Sequence, residues 1–141
     1  MVELIKGSEF IDERGALRFF NDFDMGEVVR FYEIAPVDTK IIRAWQGHRH
    51  EKKWFHCLNG SFIINLVKVD DFDNPSDQLV PEKITLKSDN PSVLAVPKGY
   101  ATGIKAVEEG SRLQVFSNFG LEASKKDDYR FPLNMWDALW Q

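Results

Sequence analysis

The sequence predicts an all-β, single-domain jelly roll spanning residues 1–141. Three observations lead there. About nine short runs rich in β-branched and aromatic residues recur every ~8–12 positions, the spacing of a sandwich or barrel. Turn formers punctuate them: Pro36 with Asp38, Asn59 with Gly60, Asp89 to Pro91, and Pro97 with Gly99. A chain of 141 residues, 43% of them hydrophobic, can bury one substantial core. A Greek-key barrel without a ligand cavity is the competing architecture.

Taken in order, Glu9 to Gly15 reads as a turn and Ala16 to Phe20 as a short strand. Val28 to Ile34 (VVRFYEI) has strong strand composition. Lys40 to Trp45 is the next strand. Lys53 to Leu58 and Ser61 to Val69 flank Asn59-Gly60, a hairpin signal. After the polar loop Asp70 to Gln78 come strands at Lys83 to Leu86, Val93 to Val96, Tyr100 to Ala106 and Leu113 to Phe119. Leu121 to Asp127 has helical composition. Phe131 to Trp140 is aromatic-rich and reads as a one-turn helix or an arm covering a neighbour.

A net charge of -4 argues against nucleic acid or an acidic membrane as partner. An anionic ligand would need a local basic pocket, for which Arg43, Arg49, Lys52 and Lys53 are available. The single cysteine, Cys57, excludes an intrachain disulfide and fits a reducing compartment. The N-terminal MVELIKGSEF does not read as a signal peptide, and no apolar run approaches the ~20 residues that span a bilayer. A cytoplasmic location is expected.

Chemistry concentrates between Ile41 and Phe62. Arg43, Gln46, His48, His50, Lys52, Lys53 and His56 fall within fourteen positions, and all three histidines of the chain are among them. Residues two apart on a strand share a face, so His48 and His50 can enter one cavity. Such a cluster of titratable groups is where pKa values are tuned. A His-x-His metal pair is one reading. Two imidazoles alone leave a divalent metal short of ligands, and Trp54 and Thr102 stand where further ligands would be wanted, so no metal is expected.

Several segments carry a family resemblance by their order and spacing. They are Asp12-Glu13-Arg14-Gly15, Arg43-Ala44-Trp45-Gln46-Gly47-His48, Lys53 ahead of Cys57-Leu58-Asn59-Gly60-Ser61, Val96 to Gly103, Phe116-Ser117-Asn118-Phe119 and Trp136. On these the chain resembles, from about residue 10 to residue 136, the RmlC-like cupins. That family holds the dTDP-4-dehydrorhamnose 3,5-epimerases and the related dTDP-sugar 3,4-ketoisomerases. The resemblance implies a cupin jelly roll (a double-stranded β-helix) and a homodimer sharing edge strands. It implies no cofactor, and a nucleotide-linked 4-keto-6-deoxyhexose as substrate, in deoxysugar or polysaccharide synthesis.

What it implies for single residues is partial. His48 matches the ketoisomerase histidine and becomes the expected base. Arg43 and Lys53 match the arginine and lysine that hold the sugar and its keto oxygen. Arg14, Gln46, Tyr32, Tyr100, Asn118 and Asp128 are the expected substrate-binding residues, with Asp128 as acidic partner to the histidine. Departures exist. Gln46 stands where the epimerases have their base, Thr102 replaces a turn histidine, Phe19 occupies an expected glutamate position, and Gln114 falls where an opposing tyrosine belongs. Inverting a carbon needs groups on both faces of the sugar, whereas a keto shift can run on one base. Single-base isomerisation therefore fits better than epimerisation. The alternative is a sugar-nucleotide binder that has lost catalysis.

Overall fold

The computed structural model describes residues 1–141. Its strands are β1 (Glu3–Lys6), β2 (Ser8–Asp12), β3 (Gly15–Phe19), β4 (Arg30–Ile34), β5 (Ile42–His48), β6 (Lys53–Asn59), β7 (Ser61–Lys68), β8 (Glu82–Lys87), β9 (Ser92–Val96), β10 (Tyr100–Ala106), β11 (Arg112–Ser117) and β12 (Tyr129–Arg130). One helix, α1 (Leu121–Lys125), and a single 3-10 turn (Leu133–Met135) complete the chain. No helix is long and apolar enough to cross a membrane.

The strands form two five-stranded antiparallel sheets, ordered β1-β9-β6-β11-β4 and β12-β5-β10-β7-β8. Their facing sides make the jelly-roll core of Phe55, Cys57, Phe62, Ile64, Leu66, Leu86, Leu94, Val96, Ile104, Leu113 and Val115. Each such large side chain contributes about 1.5–3 kcal/mol by leaving water.

β7 explains the depth of this packing. Seven of its eight residues are buried, because both of its faces are covered. Phe62, Ile64 and Leu66 point into the core, while Val67 joins a second cluster with Trp45, Val69, Phe72, Ala101 and Trp136 on the outer side. A strand covered on both faces reads as a continuous apolar run rather than an alternation.

Two expectations are corrected. Asn59-Gly60 does not close a hairpin: β6 pairs with β9 and β11, whereas β7 pairs with β8 and β10. The turn is a corner that passes the chain from one sheet to the other. Gly60 has φ +75, and a Cβ there would lie 2.1 Å from Ser111 Oγ, the hydroxyl that accepts from the Ser61 N–H at 3.1 Å. Local turn chemistry fixes the bend but not the sheet that the next strand joins. Second, the Glu9–Gly15 turn is mostly strand: β2 and β3 form a separate two-stranded hairpin reversing at Glu13 and Arg14. Of the two readings of the aromatic C-terminal segment, the one-turn helix is present as the 3-10 turn Leu133–Met135, and the segment packs on its own chain. Trp45 Nε1 donates to the Leu133 carbonyl, Asn65 Nδ2 to that of Leu139, and Trp136 Nε1 to that of Ser76.

β5 carries one irregularity that matters for the site. Its register against β10 slips between Arg43 and Gln46, so that Ala44 and Trp45 together face Gly103. The extra residue resets the alternation. Trp45 therefore packs outside, while Arg43 and Gln46 both reach the inner cavity.

Candidate functional site

Between the sheets lies a cavity of about 640 Å³. Its polar wall comes from Arg43 and Gln46 on β5, Lys53 on β6, Tyr32 on β4, Thr102 on β10 and Arg130 on β12. Ile34, Ile42, Phe55 and Ile104 supply the apolar wall.

Lys53 is buried, at the inward-facing start of β6. A buried ammonium needs partners. Lys53 Nζ donates to Gln46 Oε1 at 3.4 Å and lies 5.7 Å from the Tyr32 ring centre. Gln46 Nε2 in turn donates to Asp128 Oδ1 at 3.2 Å. Asp128 also accepts from Arg130 Nε at 2.8 Å. Burial works to raise its pKa, but the bonds from Arg130 and Gln46 prevail and hold the carboxyl below the ordinary range.

His48 ends β5 at 4% exposure. Its Nδ1 lies 2.7 Å from the main-chain oxygen of Asp127 and 3.3 Å from Glu51 Oε1. Its Nε2 is buried without a partner. Burial, and then the Lys53 charge, hold its pKa below 6.5, against the opposing pull of Glu51 and Asp127. The imidazole is therefore neutral at pH 7.

The turn after His48 is wrapped around one carboxylate. Asp127 accepts from the backbone N–H groups of Arg49, His50 and Glu51 at 2.8, 2.9 and 2.8 Å. Glu51 is itself buried. Its carboxylate accepts from Arg30 Nη2 at 3.2 Å, Ser117 Oγ at 2.5 Å and Ser124 Oγ at 2.7 Å. His48, Glu51 and Asp127 thus bring three metal-competent side chains together. Their carboxylate lone pairs are already taken by N–H and O–H donors, and a guanidinium adjoins them. The chemistry is that of a hydrogen-bonded network rather than of a cation cage.

Of the expected site residues, Arg43, Gln46, Lys53 and Tyr32 meet on one cavity wall. His48 adjoins that wall on the same face of β5, two residues beyond Gln46, without lining it. Asp128 reaches the wall through Gln46. Arg14 stands on the β2–β3 turn, 80% exposed and paired with Asp12. Asn118 accepts the Lys52 N–H at 2.7 Å, a structural bond. Tyr100 packs against the core. His56 faces outward under Phe20, with Nδ1 2.8 Å from Gln114 Oε1. Burial pushes the Cys57 thiol up to about 12, which makes it a poor nucleophile. Glu51, Asp127, Arg30, Ser117 and Ser124 went unnoticed as a set, because their contacts with one another span up to 76 positions of sequence.

No protein-family model matches the chain, and no curated protein does. Solved structures do. QdtA, a sugar 3,4-ketoisomerase from Thermoanaerobacterium thermosaccharolyticum in complex with TDP, is 27% identical with a TM-score of 0.71, over 92% of this chain and 88% of that one. The WlaRB TDP-quinovose 3,4-ketoisomerase from Campylobacter jejuni is 22% identical at TM-score 0.68, over 92% of each chain. A dTDP-4-dehydrorhamnose 3,5-epimerase from Elizabethkingia anophelis is 17% identical at TM-score 0.77, over 99% of this chain and 81% of that one. The chain has their RmlC-like cupin fold.

Proposed function

We propose that this RmlC-like cupin is a metal-independent isomerase or epimerase of a dTDP-linked 4-keto-6-deoxyhexose, with a 3,4-keto shift as its reaction. The observation that carries the reading is a neutral, buried imidazole with a free Nε2, beside a cavity that a lysine and an arginine share. It is supported by the overall likeness to a ketoisomerase in complex with TDP.

His48 Nε2 removes the proton from C3. The resulting enediolate carries its charge on the C4 oxygen, where Lys53 and Arg43 stabilise it electrostatically. The same imidazolium returns the proton to C4, and the hydroxyl proton passes from the C3 oxygen to the C4 oxygen. One base on one face suffices. Gln46, at the epimerase base position, has no basic nitrogen, and its amide is engaged by Lys53 and Asp128. Solvent deuterium tests the reading. Incubation with dTDP-4-keto-6-deoxyglucose in D2O is expected to replace the C3 hydrogen and to yield the 3-keto isomer. No exchange, with dTDP still raising the melting temperature, would leave the non-catalytic binder. The position of His48 off the cavity wall is the observation that favours that second reading.

The protein acts as a homodimer in this reading, in the cytoplasm and in deoxysugar or polysaccharide synthesis. The β2–β3 hairpin supports the dimer. It lies outside both sheets and presents Phe10, Ile11 and Leu17 at 55%, 69% and 63% exposure. Arg14 at its tip would then be placed to meet a diphosphate at a second copy's cavity. Joint replacement of Phe10 and Leu17 by Asp is expected to give a folded monomer in analytical ultracentrifugation. An unchanged sedimentation coefficient, dimeric or monomeric, would count against the hairpin as the interface.

A further inference from the structure

Glu51 is a fully buried acid to which the reaction above gives no part. We propose that it is a positioning residue: held by Arg30, Ser117 and Ser124, its carboxylate stands beside the His48 Nδ1–H that the Asp127 carbonyl accepts, and favours the imidazolium that forms when Nε2 takes the substrate proton. The role rests on the isomerase reading for its use, but not for its observation.

A buried carboxylate costs several kcal/mol unless it is compensated. Here the compensation comes from three separate elements. Arg30 opens β4, Ser117 ends β11 and Ser124 lies in α1. Oε2 takes Arg30 and Ser117, while Oε1 takes Ser124. Both oxygens being held, the carboxylate cannot turn away, and Oε1 stays 3.3 Å from His48 Nδ1. The other neighbour of Nδ1 is the Asp127 carbonyl. A carbonyl oxygen only accepts, so the proton sits on Nδ1, and Glu51 Oε1 lies beside that N–H. Nε2 then carries the lone pair, consistent with its having no donor beside it.

The charges that bear on the ring are Lys53 from β6, Arg30 from β4 through Glu51, Asp127 and Asp128 from the segment before β12, and Glu51 from its own turn. Glu51 opposes burial and Lys53 and keeps the imidazole basic enough to act.

Glu51→Gln tests this, with NMR of the three-histidine protein as readout. The carboxamide keeps the shape and loses the charge, so the His48 midpoint is expected to fall by about one pH unit or more. The acid limb of deuterium exchange should move down with it, while the Nδ1–H tautomer, held by the Asp127 carbonyl, should remain. An unchanged or raised midpoint would overturn the assignment. Should Glu51→Gln fail to fold, Ser124→Ala keeps the charge but frees Oε1. A lowered His48 midpoint there supports the role, and an unchanged or raised one overturns it. The resting protein reports in every case. A shifted midpoint without turnover of any 4-keto sugar would therefore uphold Glu51 and count against the isomerase reading alone.

Discussion

The His48→Asn variant is expected to lose deuterium exchange and isomerisation by a factor of about 10²–10⁴, the range a positioned general base supplies. Asparagine can still donate from its amide toward the Asp127 carbonyl, so the turn keeps its anchor and the fold its stability. What disappears is the free nitrogen. Binding of dTDP, read by thermal shift, is expected to remain near that of the native protein, because Arg43, Lys53 and Tyr32 are untouched. Loss of both binding and turnover would mean that the imidazole is structural. The pH dependence of the native protein follows from the same residue. The folded pKa of His48 lies below 6.5, so the neutral base persists as pH falls through 6.5 and activity fails only at lower pH. Stability shares that sign. Between the unfolded value and the lowered folded value, the unfolded chain binds the extra proton, so acidification through that window destabilises the fold.

The largest stability effect is expected at Asp127. Its carboxylate takes three consecutive backbone N–H groups and its carbonyl takes His48 Nδ1. Asp127→Ala leaves those N–H groups without an acceptor. At about 1–3 kcal/mol for each buried orphan, less where water reaches, the loss should total about 3–5 kcal/mol. For a chain of this size that lowers the melting temperature by roughly 10 °C or more. Urea denaturation measures it directly. Asp127→Asn retains one carbonyl oxygen and should fall about midway. A loss below about 1 kcal/mol in the alanine variant would show that the turn holds itself without the carboxylate. Activity should fall further than stability, because His48 sits at the start of this turn.

Local chemistry made the strands legible, and long-range pairing did not. Tyr100 to Ala106 reads as a strand from its residues and is one. The Asn59-Gly60 bend is equally readable, yet which sheet receives Ser61 depends on Ser111 closing the corner from fifty residues away. The site divides the same way. Arg43, Gln46, His48 and Lys53 fall close together in sequence, but only Gln46 and His48 share a strand phase. The bulge at Ala44 and Trp45, which lets Arg43 share a wall with Gln46, leaves no mark in the residue pattern. Nothing in the residues around Glu51 signals burial, and only Arg30, Ser117 and Ser124, brought in by three other elements, make it tolerable. Asp127 and Asp128 are adjacent and chemically alike, so the sequence offers no reason to separate the one that anchors the His48 turn from the one that engages Gln46.

The reading depends on His48 reaching the sugar, although Gln46 and Lys53, bridged at 3.4 Å, form the cavity wall next to it. A crystal structure of the His48→Asn variant with dTDP-4-keto-6-deoxyglucose measures this most directly. The account predicts the Gln46–Lys53 bridge opened and the sugar C3 about 3–3.5 Å from the residue 48 side chain, with the C4 oxygen against Lys53. A sugar held at the outer rim, with the bridge closed and residue 48 still sealed away, would contradict it.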